Sequence, residues 1–209
     1  SSYYQVAHTL DASWPWRQLE EVADMVLRYR QNSFQGEKFR TIARLLTADT
    51  GSGARQYYIE RYKELDKMLN DHPEDEDLVY YKALSLIKRA QILGKEYEQK
   101  TRKQLINRAQ KTLADYLDNN KPSRLMQTRK IKIQLRSSMV VKDTDMLKQA
   151  WNNLQQLSEE IIQTADASND LKVVQIFLNL ARMKELNAEG EMAQSIDASA
   201  DDLREKALE

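Results

Sequence analysis

The chain has no cysteine, three prolines, five glycines and no net charge across its 209 residues. Without cysteine there is no disulfide, no thiol nucleophile and no cysteine-ligated zinc. The compartment is left open. Scarce glycine and proline remove the usual interruptions of helices, while Leu, Lys, Glu, Gln and Ala are plentiful, a mixture that favours helix throughout. No run of about eighteen apolar residues occurs, so no membrane-spanning helix is expected. There is no leader-like segment and no initiator Met, and the chain is expected to be a piece of a larger protein.

Catalytic signatures are also missing. The two histidines, His8 and His72, lack the acid three residues earlier that a Glu-x-x-His metal motif needs. No His-Glu-x-x-His pair or Gly-x-Ser-x-Gly elbow is present. Thr50-Gly51-Ser52-Gly53 is Gly-rich, but it lacks the Lys-Ser/Thr of a phosphate loop and no strand precedes it. Glu74 to Asp77 lack the Asp-x-Asp-x-Asp-Gly spacing of a calcium loop. They read as negative charge at a helix N-terminus, where the macrodipole favours it. The expectation is a non-enzymatic chain with no cofactor and no metal.

What is present is helical periodicity, and it is densest from His72 to Pro122. Val79, Tyr80, Ala83, Leu84, Leu86, Ile87, Ala90 and Leu93 cover most of the circumference of a helix over about 76–93, which predicts burial on more than one side. Gly94 suits the left-handed residue that ends a helix. A second helix begins near Thr101, with Leu105, Ile106, Ala109, Leu113, Tyr116 and Leu117 on one stripe. Asn119-Asn120-Lys121-Pro122 stops it.

Ala109, Leu113, Tyr116 and Pro122 resemble the second helix of a tetratricopeptide repeat. Leu65, Leu69, His72 and Pro73 resemble the end of a preceding one. The first-helix pattern Trp-x-x-Leu-Gly-x-x-Tyr is absent, and the two prolines lie 49 positions apart, against the family's repeat of about 34. The resemblance implies an all-α, αα-hairpin solenoid with long helices. It also implies a concave groove lined by the first helix of each hairpin, here 76–93 and 123–139.

Along the rest of the chain, residues 1–12 have no clear period and read as an arm ahead of one repeat domain over 13–209. Ser13-Trp14-Pro15-Trp16 starts a helix, with the tryptophans as packing anchors. Asn32-Ser33-Phe34-Gln35-Gly36 reads as the break after it. Residues 37–48 and 54–70 make one hairpin, the second stripe being Tyr58, Ile59, Tyr62, Leu65 and Leu69. Ser123 caps a helix towards Met139. Lys130-Ile-Lys-Ile-Gln-Leu-Arg136 alternates like a strand, but a lone strand would have no partner, so helix is expected with Ile131 and Leu135 inward. Leu147, Ala150, Leu154, Leu157 and Ile161 mark a helix over 144–165. Two further helices follow a turn at 167–169. The total is a leading helix and four hairpins.

Charge is unevenly spread. Residues 1–87 hold 11 Lys and Arg against 14 Asp and Glu, residues 88–136 hold 14 against 4, and residues 137–209 hold 7 against 14. The middle tract is therefore the expected contact region for an acidic partner. Burial of Ile131 and Leu135 would turn Arg129, Lys132 and Arg136 outward, beside Lys88 and Arg89. These five are the candidate partner-binding residues, in a basic groove of an interaction or scaffold module. The structural reading of the same charges is a solvated surface that meets the acidic C-terminal third; the other functional reading is a nucleic acid or other polyanion on 88–136, disfavoured because only Tyr97 and Tyr116 lie in the tract to stack bases.

Overall fold

A computed structural model of the chain describes residues 13–48, 53–93, 98–162 and the positions 199, 201, 202 and 205. Among the described residues every long regular element is helical and no strand occurs. The helices are α1 (Ser13–Tyr29), α2 (Phe34–Thr47), α3 (Ala54–Asp71), α4 (Glu76–Ile92), α5 (Gln99–Asn119), α6 (Arg124–Val141) and α7 (Thr144–Ile162). The expectations for the 1–12 arm, the Gly94 turn and the helices after 165 lie outside the described residues. None of the described helices is long and apolar enough to cross a membrane. The chain divides into two compact units, Ser1–Asp118 and Asn119–Glu209. The division falls at the Asn119-Asn120-Lys121-Pro122 break.

In the first unit, α1 packs most extensively on α2, and α3 on α4. The α2–α3 contact is smaller, so the closest pairing is one helix out of step with the expected 37–48/54–70 hairpin. Trp16, Leu19 and Ala23 bury one side of α1, and the Trp16 ring meets Tyr81 of α4 edge-on at 6.4 Å. Arg44 of α2 holds Glu20 of α1 at 2.7 Å. That hydrogen bond, first, raises the guanidinium's pKa.

Gly36 is not part of the break. It lies in the first turn of α2, and Ser33 caps that turn by accepting from the Gly36 N–H at 3.2 Å. A methyl group at Gly36 would meet the Leu27 side chain at 3.0 Å. The residue is small there because α1 and α2 approach closely.

Helix α4 starts as its acids predict. The Asp75 carboxylate caps it, accepting from the Leu78 N–H at 3.1 Å. Asp75 also receives Lys38 from α2 at 2.8 Å, and Asp77 receives the same ammonium at 3.2 Å. Lys38 is buried, with its Nζ 5.7 Å from the Phe34 ring centroid and 5.4 Å from that of Phe39. Phe34 further stacks on His72, the residue that ends α3, at 3.8 Å. The start of α2 is thus pinned to the α3–α4 turn by one aromatic and two ionic contacts. Beyond the cap, Leu78, Tyr81, Ala83, Leu84, Leu86 and Ile87 are all essentially inaccessible. Each large one contributes about 1.5–3 kcal/mol by leaving water.

Helix α5 buries Leu105, Ile106, Ala109 and Leu113 of the predicted stripe, while Tyr116 and Leu117 at its end are half-buried. Its Tyr116 hydroxyl donates to the Glu74 carbonyl at 3.2 Å, tying its end to the α3–α4 turn.

In the second unit, Ser123 caps α6 by accepting from the Met126 N–H at 3.1 Å. The alternating 130–136 run is helical. The physical reason is burial on two sides. Ile131 and Leu135 lie on one side, while Ile133, about 200° round the helix from Ile131, is fully buried on another. Lys142 ends α6 in the left-handed conformation (φ 55°) and Asp143 caps α7, accepting from the Met146 N–H at 2.9 Å. Helix α7 packs on α6 through Leu147, Ala150, Trp151 and Leu157. An Asn153 side-chain N–H donates to the Gln134 side-chain carbonyl across the pair at 3.1 Å.

Candidate functional site

The five residues singled out by sequence divide between the two units. Lys88 and Arg89 belong to the first, Arg129, Lys132 and Arg136 to the second. Arg129 corrects the expectation that it faces outward. It is 2% exposed. Arg129 lies about 40° from Ile133 around the helix, on the second buried side of α6 that a single Ile131–Leu135 stripe leaves out. Lys132 and Arg136 are half-buried.

In the first unit the cations gather around tyrosines of α3. Lys88 Nζ lies 5.8 Å from the centroid of the buried Tyr58 ring. One helical turn further on, Tyr62 is the centre of a denser group. Its ring centroid is 5.5 Å from the guanidinium carbon of Arg108 (α5), 6.0 Å from that of Arg89 (α4) and 5.7 Å from Lys82 Nζ. Arg108 Nη2 donates to the Tyr62 hydroxyl at 3.0 Å. Three helices thus each contribute to one spot. The Tyr62 ring face attracts cations through its quadrupole, by about 0.5–2 kcal/mol for each.

Neighbouring cations are neutralised locally. Lys82 meets Asp66 at 2.5 Å, Arg61 meets Glu64 at 2.7 Å and Arg55 meets Glu98 at 3.7 Å. Arg89 and Arg108 differ. Among the described residues neither forms an ion pair with a carboxylate, and the buried Nε of Arg89 has no hydrogen-bond acceptor. Burial, first, and then the charges of Arg108 and Arg55 lower the pKa of the Arg89 guanidinium. The fold therefore holds two guanidinium groups near one another, one of them half-buried, with no ion-paired carboxylate of their own among the described residues. That arrangement costs free energy in the isolated chain and would be relieved by an external anion.

Sequence reasoning identified Arg89 and missed Tyr62 and Arg108 as its companions. Arg108 was one of many cations in the tract, and Tyr62 stood on the core stripe. The one available signal was the chemistry of tyrosine, whose apolar ring and polar tip favour the edge of a core. No group of three or more His, Asp or Glu that could hold a metal occurs among the described residues. No protein-family model, curated protein or solved structure matches the chain.

Proposed function

We propose that this chain is a non-enzymatic interaction module, a tetratricopeptide-like array of helices, that holds an acidic segment of a protein partner on the basic face of its first unit. The observation that carries the reading is the pair Arg89 and Arg108, from two helices, with no ion-paired carboxylate among the described residues. The neighbouring Arg55, Arg61 and Lys82 each have an acid of their own. Guanidinium groups suit this role because their planar forks bind carboxylates bidentately. The intervening acids Asp66, Glu64 and Glu98 disfavour a continuous phosphodiester backbone, which needs an unbroken positive track.

The test is fluorescence anisotropy with a labelled oligoglutamate peptide, a basic peptide of equal length and a single-stranded oligonucleotide, across a salt series. Saturable binding of the acidic peptide alone supports the reading. Tighter binding of the oligonucleotide, with a steep salt dependence, would replace it with polyanion binding through 88–136.

A further inference from the structure

Resting on that reading, we infer that Tyr62, Arg89 and Arg108 form a discrete single-oxyanion site, which takes one carboxylate side chain of the partner segment, with Tyr62 as its specificity-determining donor. The geometry carries this. The Tyr62 oxygen already accepts from Arg108 at 3.0 Å. Its own proton is then directed to another acceptor, and the donated hydrogen bond makes it a stronger donor. Arg89 keeps its Nε inside the fold, where it meets no acceptor among the described residues, so its terminal nitrogens are the ones an external oxyanion engages. Arg108 is exposed and one of its terminal nitrogens is committed to Tyr62. The other remains for the ligand. Two guanidinium groups and one phenol thus converge from α4, α5 and α3.

The surroundings limit the site to one anion. Lys82, itself at the Tyr62 ring, is occupied by Asp66, and Arg55 by Glu98. Of the cations gathered at the Tyr62 ring, that leaves Arg89 and Arg108 for a ligand. Tyr62 adds direction to what two arginines would otherwise supply as charge alone. A phenolic donor to a carboxylate discriminates by geometry and persists at ionic strengths that screen exposed cations.

The experiment uses the full chain with ¹⁵N-labelled arginine and follows the arginine Nε–H resonances by NMR. The probes are a capped oligoglutamate peptide, inorganic phosphate and sodium chloride as a salt control. The expected result is a saturable, one-site shift of the Arg89 and Arg108 signals with oligoglutamate. Tyr62→Phe should weaken that binding about tenfold, equivalent to ~1.4 kcal/mol, with both arginines still responding. Arg108→Gln, at an exposed position, should abolish the Arg89 response while leaving the melting temperature unchanged. Oligoglutamate binding that leaves both signals still would overturn the site and spare the proposed function. A response to phosphate but none to oligoglutamate would overturn the carboxylate assignment. Unaltered affinity in Tyr62→Phe would overturn the role of the phenol. Failure of oligoglutamate to bind anywhere would overturn the site and the proposed function together.

Discussion

Replacing Lys38 by methionine tests whether the α2–α4 ionic contact holds the first unit together. Lys38 is 5% exposed, while its partners Asp75 and Asp77 keep 15% and 20% of their side-chain exposure. Removing one partner of a fully buried pair costs about 3–5 kcal/mol, because the remaining charge is stranded. Here the stranded carboxylates retain some water, and they sit at the start of α4, where the helix dipole and the Leu78 N–H support them. Those supports reduce the electrostatic loss to about 2 kcal/mol. Methionine keeps the packing on Phe34 and Phe39 but loses two cation–π contacts, about 0.5 kcal/mol each. The expected total is about 2–3 kcal/mol, a fall of roughly 10 °C or more in melting temperature for a unit of this size. Asp75→Asn separates the two roles of that residue, since asparagine caps as well as aspartate but carries no charge. A double-mutant cycle of Lys38→Met with Asp77→Asn should give a coupling of about 1 kcal/mol. Thermal melts followed by circular dichroism provide all of these values. A fall of less than about 2 °C, with no coupling beyond ~0.3 kcal/mol, would show that the pair behaves as a surface ion pair and that its burial has been misjudged.

Ala109 is fully buried on the α5 stripe, so Ala109→Leu should overpack it and cost about 1–3 kcal/mol in chemical denaturation; an unchanged midpoint would refute the close approach. Gly36→Ala should fail to deliver the roughly 1 kcal/mol that alanine normally gains in a helix, because Leu27 stands 3.0 Å from the added methyl; a full gain would mean that Leu27 moves aside freely. Arg129→Glu should unfold the second unit or lower its stability by several kcal/mol, as buried charge changes do, and retention of the wild-type melt would show that Arg129 is a surface residue after all. Tyr57 and Tyr116 have pKa values raised first by burial. Their protonated forms are therefore favoured in the fold, and their stabilisation is complete below the ordinary tyrosine value of about 10 and lost as pH rises through the folded values. Melting temperatures measured up to about pH 11 should fall above about pH 10, less steeply in the Tyr57→Phe variant.

The elements were legible because their causes are local. The acids before Leu78 and the serine before Arg124 announce helix starts, and both caps form as those residue types require. The α5 stripe and the many-sided burial of α4 follow from spacing alone. What local pattern could not give was the partner of each face. Ile131, Ile133 and Leu135 contain an alternation that a strand would explain, and only packing on two sides of α6 accounts for it as helix. The same omission misplaced Arg129, since a helix read with one inward stripe leaves every other position outside. Gly36 failed for a related reason. As a sequence symbol it marks a break, whereas in the fold it marks the distance between α1 and α2.

The site shows why a charge count is a poor guide to where a partner binds. The 88–136 tract has ten more cations than acids, but the ion pairs next to it are made by cations that lie outside it in sequence. Lys82 reaches back to Asp66 and Arg55 reaches forward to Glu98. Lys38, far outside the tract, reaches α4 and consumes two of the acids that seemed only to start a helix. After this pairing, Arg89 and Arg108 stand out in the first unit. They are 19 positions apart in sequence and on separate helices, so no spacing rule joins them. Tyr62 joins them, through one hydrogen bond and two cation–π contacts from a third helix. An excess of positive charge along the chain is thus a weak statement, because it does not say which cations the fold gathers at one spot. Two guanidinium groups held together on a tyrosine, one of them half-buried, make a stronger one. Mutual repulsion and desolvation oppose that arrangement in the absence of an anion, and the attraction of a carboxylate supplied by a partner would offset both.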